Sequence, residues 1–211
     1  MSYNLEEQDQ LAQLRDFWER WGTLLSLLIA VALLGVAGMR GWQWWQQRET
    51  VQASALYVQI GQRLDAGDFG GARAVYEELQ QQFGSSVYAP MGAIELAKAR
   101  AAHGDAAQAR TLLQWTAAHA KDGAYRAAAQ LALSALQLDA HQYDAALASV
   151  ANSPDAAFDG LFSARRGDIL AVQGKRDAAR QAYAQALQQL PAGDGYRGVV
   201  ERSLEAVGGH S

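Results

Sequence analysis

The 211-residue sequence contains no cysteine, only three prolines (Pro90, Pro154, Pro191) and only three lysines (Lys98, Lys121, Lys175). The lack of cysteine excludes disulfides, thiolate metal sites and cysteine nucleophiles, and is compatible with either a reducing or an oxidising compartment. A net charge of -4 with so few lysines argues against nucleic acid as a partner, because neutralising phosphates takes clustered cations. The four histidines (His103, His119, His141, His210) show no metal-ligand spacing. Neither a Gly-x-Ser-x-Gly elbow nor a phosphate-cradling Gly-Lys-Ser/Thr loop occurs. The glycine cluster "GDFGG" from Gly67 and the acids Asp144, Asp155 and Asp159 read as turn residues. No catalytic residue, metal or cofactor is therefore expected, and the chain reads as a non-enzyme.

What is present points to helices. Half of the residues are apolar, and alanine, leucine and glutamine dominate, a mixture that favours helix over strand. The length suits one domain plus an appendage.

The appendage is visible at once. From Trp21 to Met39 the sequence reads "WGTLLSLLIAVALLGVAGM", with no charge between Arg20 and Arg40. At helical rise this stretch is about 28 Å long, close to the hydrocarbon thickness of a bilayer. Trp18 and Trp21 stand at one border and Trp42, Trp44 and Trp45 at the other, as in the aromatic belts of a spanning helix. A buried core helix is rarely this apolar all round. A cleaved signal peptide has a basic start, whereas the first twenty residues here carry five acids against two arginines. An interfacial helix would show a polar face. One membrane span is expected over 21–45, after a short acidic segment 1–20. Arg15 and Arg20 on one side balance Arg40 and Arg48 on the other, so charge alone leaves the orientation open.

Behind the span, residues 46–211 repeat. "GDFGGA" from Gly67, "GDAAQA" from Gly104, "HQYDAA" from His141 and "GKRDAA" from Gly174 each place a turn-tolerant residue five positions before an alanine. Those alanines are Ala72, Ala109, Ala146 and Ala179, spaced 37, 37 and 33 residues apart. Each unit has room for two helices and a short turn. The turn residue ends the first helix in a left-handed conformation, and the small alanine lets the second helix pack close. One such hairpin cannot bury its apolar faces alone, so about four are expected to stack into an all-α solenoid. Val199, Val200, Leu204 and Val207 would form a C-terminal capping helix, stopped by Gly208 and Gly209. The inner face made by the first helix of each unit is the expected protein-binding groove. Tyr57, Leu64, Met91, Ile94, Lys98, Leu131 and Leu161 are its candidate residues, with inter-repeat core as the alternative for each.

In the last unit Gly167, Gly174, Ala179, Tyr183, Ala186 and Pro191 fall at the signature offsets of the tetratricopeptide repeat, which the domain resembles. The first unit keeps Gly67, Phe69, Ala72 and Tyr76 without the proline. The second keeps Gly104 and Ala109. The third has His141 in place of glycine, and its second helix is expected to be cut short near Pro154. In this register the tripeptide Arg166-Gly167-Asp168 lies inside a helix, with Gly167 at a helix-helix contact, and is not an adhesion loop.

The acidic start "EEQDQLAQLRDFWERWG", the single span, the "GWQWW" border and the closing "RRGDILAVQGKRDAARQAYAQAL" together resemble the YfgM-type proteins over nearly the whole chain. That resemblance implies a single-pass protein of the bacterial inner membrane, with a cytoplasmic N-terminus and a periplasmic repeat domain. It also implies association with the Sec translocon and with a membrane-anchored periplasmic chaperone of prolyl-isomerase type, and help in handing over unfolded secretory clients. An alternative implied role is control of an envelope stress response, with the cytoplasmic N-terminus sequestering a response regulator. The groove lacks the lysine and asparagine set with which some tetratricopeptide domains clamp a C-terminal carboxylate.

Overall fold

The computed structural model describes residues 27–28, 31–37, 39–40 and 48–208. It divides into two compact units, Met1–Val51 and Gln52–Ser211. In the first, the described residues from 27 to 40 are helical, and Leu27, Leu28, Val31, Leu33, Leu34, Val36 and Met39 are all more than half exposed. Among the described residues no helix is long and apolar enough to cross a membrane. The expected span falls partly outside them, and Trp18, Trp21, Trp42, Trp44, Trp45 and the acidic segment 1–20 lie outside them altogether.

The second unit is all-α among its described residues. α1 is the helical stretch 48–65, of which the part from Gln52 belongs here. It is followed by α2 (Phe69–Phe83), α3 (Tyr88–Ala102), α4 (Ala106–His119), α5 (Gly123–Asp139) and α6 (Tyr143–Ser149). A 3-10 turn (Ala156–Phe158) then leads into α7 (Asp159–Val172), α8 (Arg176–Gln189) and α9 (Arg197–Ala206). The helices pair as α1/α2, α3/α4, α5/α6 and α7/α8, with α9 over the end.

The four expected turns share one hydrogen-bonding pattern. Gly67, Gly104, His141 and Gly174 all have positive φ, at 72°, 81°, 57° and 75°. At each, the amide of the next residue reaches back five positions: Asp68 to Arg63, Asp105 to Arg100, Gln142 to Gln137 and Lys175 to Leu170. The turn residue's own amide reaches back three, to Leu64, Ala101, Leu138 and Ala171. This is the Schellman closure, which satisfies the last carbonyls of a helix at the cost of one left-handed residue. In the first two units that residue is followed by an aspartate that caps the next helix, Asp68 accepting from Gly71 N at 2.8 Å and Asp105 from Gln108 N at 3.2 Å.

His141 is the one described non-glycine residue at positive φ. Its ring nitrogen lies 3.0 Å from the Tyr143 hydroxyl, which anchors a side chain the backbone disfavours. Replacing it tests the shared turn geometry. His141→Gly is expected to raise stability by about 1 kcal/mol, less what the Tyr143 contact supplies, and Gly174→Ala to lower it by about 1–2 kcal/mol. Urea midpoints of the two variants are the check.

The four alanines five residues beyond the turns, Ala72, Ala109, Ala146 and Ala179, are all 0% exposed. They stand in four core clusters, each made by three helices. Ala53, Ile60, Tyr76, Leu79, Ala93 and Leu96 join α1, α2 and α3. Ala97, Leu113 and Leu133 join α3, α4 and α5. Ala127, Phe162 and Ile169 from α5 and α7 close over Ala146 of α6 and over Val150 just beyond it. Tyr183, Ala186, Val200 and Leu204 bring α9 onto the last pair, the capping role expected of it. Each hairpin thus borrows the first helix of its successor to finish its core, which is why such units stack rather than stand alone. α6 is only seven residues long and ends before Pro154, as the sequence led one to expect.

Candidate protein-binding surfaces

Five of the seven candidate groove residues pack against the core clusters. Tyr57 and Leu64 pack against the first core cluster, Ile94 against the α3–α5 cluster, Leu131 against the α5–α7 cluster and Leu161 against the last. Their half-buried side chains serve the contacts between units. Lys98 is exposed, and Met91 and Tyr57 are intermediate.

Tyr57 has the richest surroundings of the seven. Its ring lies 5.9 Å from that of Tyr88, between α1 and α3. A hydrogen bond to the Glu95 carboxylate, with burial next, holds the Tyr57 phenol above its ordinary value, and Tyr125 of α5 adds to this from nearby. The first helices of three successive units therefore place tyrosines and one carboxylate together. Tyr88, Glu95 and Tyr125 escape a reading by apolar register, because such a reading passes over Tyr and Glu on a helix face.

The other face, formed by the second helices, holds a cavity of about 260 Å³. Arg73, Tyr76, Glu77 and Gln80 of α2 form one wall, Gln108, Thr111, Leu112 and Trp115 of α4 the other, and Leu96 of α3 also lines it. Tyr76 and Trp115 meet edge to face with centroids 6.3 Å apart, and Trp115 stacks on His119 at 5.4 Å. Arg73 pairs with Glu77 at 2.7 Å and reaches across to Gln108 Oε1 at 3.4 Å. Burial pushes the Tyr76 phenol well above its ordinary value. The residues are apolar or aromatic below and neutral in net charge at the rim.

Arginines tie successive units together in a way the repeat pattern did not announce. Arg126 of α5 donates to Ala120 O and Lys121 O at the end of α4, both at 2.8 Å. Arg166 of α7 donates to Val150 O at 3.1 Å and Ala151 O at 3.3 Å beyond α6. Arg197 of α9 donates to Leu187 O at 2.6 Å and Leu190 O at 2.9 Å at the end of α8. A helix C-terminus carries unpaired carbonyls and partial negative charge, so a guanidinium there satisfies both. A signal does exist in the sequence: "DGAYR" from Asp122 and "DGYR" from Asp194. In both, the aspartate accepts from the amide two residues on, at 2.9 and 2.8 Å, setting the turn that delivers the arginine.

Arg166-Gly167-Asp168 lies within α7, and none of the three is free to act as a loop ligand. Arg166 is spent on the carbonyls just described. Gly167 is buried against Tyr183, and Asp168 accepts from the Tyr183 hydroxyl at 3.0 Å. Burial raises the Asp168 carboxyl above its ordinary value, opposed by the Tyr183 bond and by Arg165 at 3.8 Å. The folded state then holds this proton more tightly than the unfolded state. The contribution of Asp168 to stability is greatest at low pH and declines as pH rises from the ordinary carboxylate value through the raised one. Asp168→Asn keeps an acceptor for Tyr183 but cannot ionise. It is expected to equal or exceed the parent in stability at neutral pH, and to lose that advantage in acid; thermal midpoints of both proteins across the acid range are the check.

Among the described residues no group of three His, Asp or Glu side chains is placed to hold a metal ion. Comparison with known proteins agrees with a repeat domain. A family model described as a tetratricopeptide repeat-like domain matches residues 15–209. The chain is 28% identical over 210 residues to a protein of Neisseria gonorrhoeae named "Ancillary SecYEG translocon subunit", covering 98% of this chain and 100% of that one. A protein of the same name from Haemophilus influenzae is 29% identical over 89% of this chain and 92% of its own length. One from Aggregatibacter actinomycetemcomitans is 24% identical over 91% and 94%. The resemblance to the YfgM-type proteins is thereby met by relatives aligned over nearly their full length.

Proposed function

Because the chain belongs to the family of tetratricopeptide repeat-like domains, we propose that it is a non-enzymatic protein-interaction module, anchored in the inner membrane beside the Sec translocon. The observation that carries this reading is the stack of three-helix cores, a repeat architecture that presents extended side-chain faces to partners. Full-length similarity to proteins named for the translocon supports the choice of partner. The described apolar residues Leu27, Leu28, Val31, Leu33, Leu34, Val36 and Met39, each more than half exposed, support a lipid-facing anchor, since soluble surfaces rarely carry so many together. In this reading residues 1–20 are cytoplasmic, 21–45 span the membrane and 46–211 stand in the periplasm. The repeat domain there receives a prolyl-isomerase-type chaperone and unfolded secretory clients, and the inner-face residues Tyr57, Met91 and Lys98 contribute to the contact.

Photo-crosslinking from Leu34, Val58 and Lys98 in the full chain tests it. The expected products contain a translocon subunit from Leu34 and a chaperone or secretory client from the other two. Capture of neither, or a reporter fused after Ser211 that reads as cytoplasmic, overturns the proposal.

A further inference from the structure

Glu95 stands on the first-helix face without a counter-ion. Among the described residues it belongs to no ion pair, and its Oε2 has no hydrogen-bond partner. Tyr57 supplies the hydrogen bond that the carboxylate accepts. Lys98, three residues further along α3, is exposed and forms no ion pair with it. A half-buried carboxylate left with one neutral donor is a point of unbalanced negative charge.

The way in to Glu95 is left by a glycine. Gly61 of α1 stands where the later units carry Lys98, Ala135 and Asp168, six residues before each turn residue. Apart from its chain neighbours and its own helix backbone, a Cβ built on Gly61 would meet one atom within 4 Å, Glu95 Oε1 at 3.5 Å. The space in front of Oε1 is thus open where a side chain would otherwise stand. Tyr57 lies one turn before Gly61 on α1 and Tyr88 two turns before Glu95 on α3, with their rings 5.9 Å apart. Tyr125 of α5 is close enough to Tyr57 to act on its phenol. All three tyrosines and Glu95 are half-buried, so each keeps an accessible part. The chemistry narrows the occupant. An acidic side chain would be repelled, and an apolar one would cover the carboxylate without pairing it. Among the described residues no group of three His, Asp or Glu side chains is placed to hold a metal ion. A guanidinium fits both parts of the patch, since it donates to carboxylate oxygens and its plane stacks on aromatic faces.

We propose that Glu95, reached through the opening at Gly61, forms with the Tyr57, Tyr88 and Tyr125 rings a binding site for one arginine side chain of a partner polypeptide. The guanidinium donates to Glu95 Oε1 and packs against the tyrosine rings. Tyr57 is a positioning residue, its hydroxyl orienting the carboxylate. The site lies on the first-helix face, where Met91 and Lys98 also stand. The proposal deepens the interaction-module reading and rests on it.

The test uses the full chain in phosphatidylcholine nanodiscs and Gly-Ser peptides with a single central Arg, Lys, citrulline or Glu. Each peptide carries a neutral fluorophore and is read by anisotropy against empty nanodiscs. The Arg peptide is expected to bind roughly fivefold more tightly than the citrulline peptide, which keeps the shape without the charge, with Lys between and Glu weakest. Glu95→Gln is expected to abolish the preference for Arg over citrulline. Gly61→Leu fills the opening and is expected to do the same, with a thermal midpoint unchanged or higher because leucine is the better helix former. Asp139→Asn removes a charge at the exposed end of α5 and is expected to leave the preference intact. Equal binding of the Arg and citrulline peptides, no binding, or the same loss in Asp139→Asn as in Glu95→Gln overturns the proposal. Translocon crosslinking that persists alongside such a failure would remove the arginine site and leave the interaction-module reading standing.

Discussion

Gly167→Val is expected to destabilise the repeat domain by about 3 kcal/mol, at the upper end of the overpacking range. A Cβ at this position would lie 2.6 Å from two ring atoms of Tyr183, well inside contact distance. The ring has nowhere to retreat: it is buried against Ala164, Ala186, Val200 and Leu204, and its hydroxyl is held by Asp168. Valine's better helix propensity than glycine offsets only about half a kcal/mol. For a domain of this size the thermal midpoint should fall by about 6–12 °C. A double-mutant cycle isolates the cause. In a Tyr183→Leu background most of the cost of Gly167→Ala should vanish, because the clash is with the ring. Full additivity of the two substitutions would show that Gly167 acts through something other than this contact.

Phe162→Ala is expected to cost about 3–5 kcal/mol, the usual loss when a buried phenylalanine leaves a cavity behind. Phe162 is 2% exposed and stands with Ala127, Ala146, Val150 and Ile169 where α5, α6 and α7 meet. Three of its neighbours across this core are small or β-branched, so they cannot swing inward to fill the gap. α6, with two turns, has little else to hold it. A drop in the urea midpoint with an unchanged slope is the expected outcome. A change below about 1 kcal/mol would mean that the third unit is already loosely packed.

Much of this was legible in the sequence because it rests on residues whose role is nearly independent of context. Gly67, Gly104 and Gly174 announce left-handed closures, and alanine at a fixed distance announces close approach. His141 was legible as the odd member by its place in the register, and its φ of 57° shows the register overriding residue preference. The acids near turns proved to be ordinary turn residues in the case of Asp155, which accepts from Ala157 N at 2.9 Å. The candidate site was less legible. Apolar residues on first helices either build the contacts between units or face outward, and periodicity cannot separate the two: Leu131 and Lys98 lie on successive first helices with opposite fates. The second-helix cavity depends on how far apart α2 and α4 stand, a property of no single segment. The arginines depend on a carbonyl at the end of another helix. For Arg126 and Arg197 the stretches DGAYR and DGYR were a signal, but its meaning appears only once the partner helix is in place.

The borrowing of a helix by each hairpin has a consequence for a chain that emerges from its N-terminus onward. When α2 is complete, the core around Ile60 and Tyr76 still lacks Ala93 and Leu96, so the first unit closes only as α3 arrives. The same delay recurs at each step, and Arg126, Arg166 and Arg197 each reach back to the preceding helix end as it is resolved. In a chain that folds as it emerges, each core therefore closes with a lag of one helix, and the open edge is the newest. At the last step that edge is Tyr183 with Ala186, and ten residues of α9 close it. A chain stopped short of Val200 would keep permanently the sticky edge that every intermediate shows briefly.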